Sequence, residues 1–176
     1  MKRAFLILGP ESSGTKVAAK LFCLAGCQGD HGHLQRLDAF AEGASFPEEM
    51  KDKDIVFRRS VPHGGRMPDI VELQSKFLDV GYNPKWVITV RDWYCNIRSA
   101  PQYGHKASIE EETERLPKEW AYIGQHLQFM KSFYFLIFSQ MVLDPVRALK
   151  GLSYWSGLNL VEYVEIIRDT DERYFR

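Results

Sequence analysis

Three short stretches of this chain carry side chains whose types and spacing suit the handling of an anion. In the first, Gly9-Pro10-Glu11-Ser12-Ser13-Gly14-Thr15-Lys16, an apolar run breaks into a glycine-rich turn and then into an amphipathic segment. A strand, such a turn and a helix start gather several backbone N–H groups and the positive end of a helix dipole around one point, which makes an anion pocket. Gly9 is expected to let the chain leave the strand sharply and Gly14 to let an oxygen approach the backbone, while Ser12, Ser13 and Thr15 add hydroxyl donors. Lys16 falls in the first helical turn, where a cation opposes the dipole unless an anion is bound. A capped helix after an ordinary tight turn would use the same residues for stability alone.

The loop that holds ATP or GTP reads G-x-x-x-x-G-K-[ST], with the lysine directly after the second glycine and the hydroxyl on magnesium. Gly9 and Gly14 have that spacing, but Thr15 precedes Lys16, so neither the ammonium nor the metal-binding hydroxyl falls where a nucleoside triphosphate needs it. The second stretch, "VRDWYCNIRS", places Arg91 at the end of a predicted strand and Ser99 just over two helical turns later, near the side of that strand's end. Together they can hold a second phosphate through a guanidinium fork and a hydroxyl. The alternative is a solvated Arg91–Asp92 pair with Ser99 on an exposed face. In the third stretch, "RRSVPHGG", His63 has a side chain suited to taking a proton near neutral pH, or it simply bonds backbone or water. His31, His33 and Glu42 are further candidate bases.

The elements that must position these groups follow from periodicity. Arg3–Leu8 reads as a strand buried on both faces. Val17, Ala18, Leu21, Phe22 and Ala25 recur at helical spacing up to Gly26, and residues 28–50 read mostly as loop with a short helix. Asp54–Arg59 is a second strand, followed by a Pro/Gly-rich loop. Asp69 caps a helix over Ile70–Val80 whose apolar side carries Ile70, Leu73, Phe77 and Leu78. Lys85–Arg91 is a third strand and Trp93–Ala100 a short helix stopped by Pro101. Glu110–Met130 is a long helical pattern interrupted at Pro117, residues 132–138 a fourth strand, and Asp144-Pro145 opens a last helix to about Tyr154. Alternating strands and helices predict a three-layer α/β/α domain with a mainly parallel sheet, whose ligand sits at the carboxyl ends of the strands.

At 176 residues the chain is expected to form a single domain over residues 1–176. Its 23 basic and 23 acidic residues balance, so no global field draws it to nucleic acid or to an anionic membrane. The longest apolar runs are far shorter than the roughly 20 residues of a membrane helix, and the start lacks a signal peptide's pattern, so a soluble, cytoplasmic protein is expected. Cys23 and Cys27, one helical turn apart, suit buried thiols on one helix face. With His31 and His33 they do not make a zinc spacing, and no metal is expected.

"SSGTK" after the first strand and R-x7-S at a later strand–helix junction resemble the two elements by which sulfotransferases grip 3′-phosphoadenosine 5′-phosphosulfate (PAPS). Residues 138–158, "FSQMVLDPVRALKGLSYWSGL", are similar to that family's C-terminal pattern. The resemblance implies a P-loop nucleoside-triphosphate-hydrolase-like fold with PAPS held by Ser12, Ser13, Gly14, Thr15, Lys16, Arg91 and Ser99. It also implies transfer of a sulfuryl group to the hydroxyl or amine of a small-molecule or glycan acceptor, with Lys16 and His63 catalytic and loops 28–50 and 102–117 around the acceptor. Ser12 stands where the family's loop has lysine, so Lys16, Arg58 or Arg59 is expected to supply the cation, and Glu11 to face outward or contact a basic residue such as Arg59 or Arg91. Two other readings are a nucleotide kinase or phosphotransferase using ATP and magnesium, and a non-catalytic nucleotide-binding relative.

Overall fold

The uninterrupted apolar run Ala4–Leu8 is fully buried at the centre of a sheet, in the computed structural model that describes residues 2–29, 35–102 and 108–171. It belongs to β1 (Lys2–Pro10), and four further strands, β2 (Gln28–Gly29), β3 (Ile55–Val61), β4 (Tyr82–Val90) and β5 (Phe133–Ile137), give the order β2-β3-β1-β4-β5. Every pairing is parallel. Such a sheet must be covered on both faces. On one face Ala4, Leu6, Leu8, Phe57 and Trp86 pack under α2 (Gln35–Ala41), α3 (Ile70–Asp79) and α5 (Ile109–His126). On the other, Phe5, Ile7, Val56 and Leu136 meet α1 (Thr15–Leu24), α6 (Phe138–Leu143), α7 (Pro145–Ser156) and α8 (Val164–Asp171). Fully burying one such side chain contributes roughly 1.5–3 kcal/mol, against about 0–1 kcal/mol for an exposed ion pair, so the sheet faces decide the architecture.

Helix starts follow their capping chemistry. Asp69 accepts from the Glu72 N–H at 2.8 Å, Ser108 and Glu111 form a reciprocal capping box, and Asp144 accepts from the Arg147 N–H ahead of Pro145. The chain leaves β1 for α1 on one face but leaves β3 for α3 on the other, and α5, which follows β4 by way of α4 (Trp93–Gln102), also packs on that second face. The crevice at the carboxyl ends of β1 and its neighbours is therefore a topological switch point, where ligands of open α/β sheets bind. Among the described residues no helix is long and apolar enough to cross a membrane.

Several elements depart from the sequence expectations. Asn83 and Pro84 lie inside β4, not before it. The Trp86 N–H donates to Ser132 O on the β5 side, so the imide nitrogen of Pro84, two residues earlier, faces the same side before β5 begins, where its missing donor costs nothing. Pro117 does not interrupt α5, and α4 runs one residue past Pro101. Burial of Leu116 and Ile123 on either side of Pro117 outweighs the roughly 3 kcal/mol of a helical proline. Leu78 is 42% exposed because it lies about 100° around the helix from Phe77. Cys27 is buried but sits beyond the end of α1, so it shares no helix face with Cys23. Phe138 opens α6 and does not end β5.

Candidate functional site at the carboxyl ends of the strands

The loop from Pro10 to Thr15 is held by a buried polar knot. Ser13, fully buried, donates both its N–H (3.1 Å) and its hydroxyl (2.6 Å) to Pro10 O, and its Oγ lies 2.7 Å from Thr89 Oγ1 on β4. Ser13 thus shapes the loop with the groups that were expected to hold an anion. Gly9 is still in the strand, where a Cβ would sit 2.5 Å from Ser13 Oγ, so its absence of a side chain serves close packing and not a sharp exit. Ser12 and Gly14 are left-handed, at φ 64° and φ 97°. The Ser12 conformation costs of order 1–3 kcal/mol, of the kind that clusters at functional loops. A Cβ on Gly14 would come within 2.9 Å of the Phe138 ring, so Phe138 covers that side of the glycine.

α1 starts differently from α3, α5 and α7. Its N-cap is Gly14, no side chain caps it, and no acidic residue lies in its first turn. Ala18 makes the first backbone bond, to Gly14 O at 3.1 Å, and among the described residues no side chain caps the N–H groups ahead of it. Thr15 is 5% exposed, and Lys16 is exposed with no ion pair among the described residues. A first turn carrying a cation and no acid favours an anion.

Arg91 and Ser99 converge as their spacing predicts. Arg91 Nη1 donates to Ser99 Oγ at 2.7 Å and to Ser12 O at 3.0 Å, and its guanidinium lies 5.1 Å from the Phe138 ring centre. Both residues are about 95% buried, and the Asp92 carboxylate accepts from the Cys95 N–H, so this is no solvated surface pair. Neighbouring Asn96 is 3% exposed and its Oδ1 has no hydrogen-bond partner among the described residues. Phe138 is named in the sequence only as the first residue of the C-terminal pattern, with no role at the loop, and Thr89 is not singled out. Phe138 is one aromatic among many, but a threonine inside the apolar run "WVITV" was a readable signal.

Glu11 contacts a basic residue, as expected, and the partner seen is Arg115 of α5, from which its Oε2 accepts at 3.0 Å. Glu112 and Glu119, the latter 1% exposed, press on the same guanidinium at 2.7 Å each. One cation cannot neutralise three carboxylates. Burial pushes Glu119 up to about 8 against the pull of Arg115, with Glu112 and Glu11 adding to the rise. The folded state therefore holds a proton that the unfolded chain releases near its ordinary value, so stability is full at low pH and falls as pH rises toward 8. Glu119→Gln is expected to remove much of that fall. Thermal melts over pH 5 to 9 check it, and parallel slopes in variant and wild type would assign the titration elsewhere.

The end of β3 places its two arginines on opposite faces. Arg58 shares the face of Val56 and α1, whereas buried Arg59 donates to Asp38 of α2 at 2.7 Å and lies 2.6 Å from His63 Nε2. An arginine only donates, so Nε2 is the acceptor and the ring is held neutral. Partial desolvation and then Arg59 keep His63 below its ordinary pKa. Pro10 is the register partner of Val61, which brings His63 to the edge of the loop, where it feels the charge of Glu11. Of the other candidate bases, Glu42 lies exposed just past α2, and His31 and His33 lie outside the described residues. Among the described residues no group of three or more His, Cys, Asp or Glu is placed to hold a metal ion.

Fold and site together define a parallel α/β domain with an uncapped helix start, a buried Arg–Ser pair and a histidine at one switch point. No family model and no curated protein matches the chain.

Proposed function

We propose that this protein is a sulfotransferase-like P-loop enzyme that binds PAPS and transfers its sulfuryl group to a hydroxyl or amine. The observation that carries this reading is Arg91, whose guanidinium joins the Ser99 hydroxyl to the backbone of the first loop and so unites both phosphate elements. The residues present fit the cofactor: the uncapped α1 start offers N–H groups for the 5′-phosphosulfate, with the Thr15 hydroxyl and the Lys16 ammonium beside them, and Arg91 with Ser99 suits the 3′-phosphate. Bound PAPS would supply an electrophilic sulfur and a bisphosphate leaving group, so the acceptor's new oxygen–sulfur or nitrogen–sulfur bond would replace the sulfur–oxygen bond to the 5′-phosphate.

The chain's own residues have three tasks in this scheme. The first turn of α1 stabilises negative charge, with Lys16 in place of the lysine that Ser12 does not provide. Glu11, drawn to Arg115, is kept from opposing that charge. His63 takes the acceptor proton at Nε2, the acceptor hydroxyl replacing the Arg59 N–H there.

ATP–magnesium chemistry has less support. Such sites need a carboxylate on the metal at the end of a neighbouring strand, and here β3 ends in Arg59-Ser60-Val61, while Asp92 after β4 caps α4. Calorimetric titration separates the two: adenosine 3′,5′-bisphosphate binding without metal is expected, and magnesium-dependent ATP binding without bisphosphate binding would overturn the reading. A non-catalytic relative is favoured by the His63–Arg59 bond, which occupies the proposed base. His63→Asn is expected to lower turnover while bisphosphate still binds; unchanged turnover would remove His63 as the base.

A further inference from the structure

The chain after β3 is a tight hairpin. His63 and Arg66 exchange both backbone bonds, at 2.8 and 3.1 Å, across Gly64 and Gly65 at φ 56° and 78°. Two left-handed turn residues are what a two-residue hairpin of this hand requires, and glycine supplies them without strain. Directly opposed residues carry their side chains on one face, so His63 and Arg66 are presented together. Both line a cavity of about 170 Å³ over the start of α3, with Arg59 and Lys76 among its cations and Met67 and Leu73 among its apolar walls.

Two of the three cations that line this cavity are held in ion pairs. Arg59 pairs with Asp38 at 2.7 Å and Lys76 with Glu72 at 2.8 Å, while the carboxylate of Asp69 caps the Glu72 N–H. Both lining carboxylates are thereby engaged, and Arg66 is the lining cation left without an ion pair among the described residues. The volume lies below the roughly 300–1,000 Å³ of sites for drug-sized ligands, which suits a small polar molecule.

Resting on the transferase reading, we propose that this cavity is the acceptor site and that its acceptor is a small hydroxylated molecule with an anionic group. Arg66 binds the anion, the apolar walls take the body of the molecule, and the hydroxyl lies at His63. Of the segments expected to surround the acceptor, only Ala41 contributes, and the hairpin and α3 do the rest.

The test is calorimetric titration of the full chain, with and without adenosine 3′,5′-bisphosphate, using para-hydroxyphenylacetate and its neutral amide as probes. The acid is expected to bind roughly tenfold or more tightly than the amide, as a charge-assisted contact gives. Arg66→Ala should abolish that preference and Arg66→Lys keep part of it. Equal binding of the two probes, no binding of either, or a preference that survives Arg66→Ala would overturn the proposal. Bisphosphate binding is the independent arm: its failure beside an Arg66-dependent preference would sink the transferase reading and leave the anion site standing.

Discussion

Arg91→Ala is expected to weaken adenosine 3′,5′-bisphosphate binding by roughly 100-fold and adenosine 5′-phosphate binding far less. Arg91 is 6% exposed, and its Nη1 donates both to Ser99 Oγ and to Ser12 O. A charge-assisted bond contributes about 1.5–3 kcal/mol, and about 2.7 kcal/mol is a hundredfold in affinity. Truncation also leaves the Ser12 carbonyl and the Ser99 hydroxyl without their donor, which loosens the loop toward any ligand. That second loss falls on both nucleotides, whereas loss of a 3′-phosphate contact falls on the bisphosphate alone. Equal losses in the two titrations would make Arg91 a brace for the loop and withdraw the 3′-phosphate assignment. Arg91→Lys, which keeps charge but not the fork, should fall between wild type and alanine.

Gly9→Ala should destabilise the fold by about 3 kcal/mol, at the upper end of ordinary overpacking. The added methyl would meet Ser13 Oγ at 2.5 Å and Thr89 O at 2.9 Å, and Thr89 Oγ1 closer still. Neither neighbour is a flexible side-chain end, because Ser13 and Thr89 are bonded to each other and to the backbone of β1. In a domain of this size the thermal midpoint should fall by roughly 6–12 °C. Gly124→Ala is the control. Gly124 lies inside α5 with nothing within 4 Å of an added Cβ, so the change should be neutral or stabilise by up to about 1 kcal/mol. A Gly9→Ala midpoint equal to wild type would mean that the loop does not pack on Thr89 in solution.

Much of the fold was legible because it rests on local signals. The runs at Ala4–Leu8 and Trp86–Val90 announce strands buried on both faces, and Asp69 and Asp144-Pro145 announce helix starts whose caps form as read. Errors fell where a tertiary partner overrides a local rule. Pro84 is acceptable in β4 only because its nitrogen faces away from β1, and Pro117 is acceptable in α5 because the residues around it are buried. Strand β2 and the edge position of β5 have no local signature, since pairing order is set by which surfaces the helices cover.

The site divides in the same way. Sequence alone determined that a glycine- and hydroxyl-rich turn and a helix start with no acid in its first turn follow β1, and that an Arg and a Ser stand two helical turns apart after β4, because strand, turn and helix geometry act over a few residues. Only the tertiary structure decided which of those polar atoms are already engaged. It assigned Ser13 to Thr89, Glu11 to Arg115 and His63 to Arg59, contacts across 76, 104 and 4 positions of sequence. Hydrogen-bond capacity is finite and depends on who lies within 3 Å. The chain order lists the donors, and the packing of the sheet and its helices chooses the acceptors.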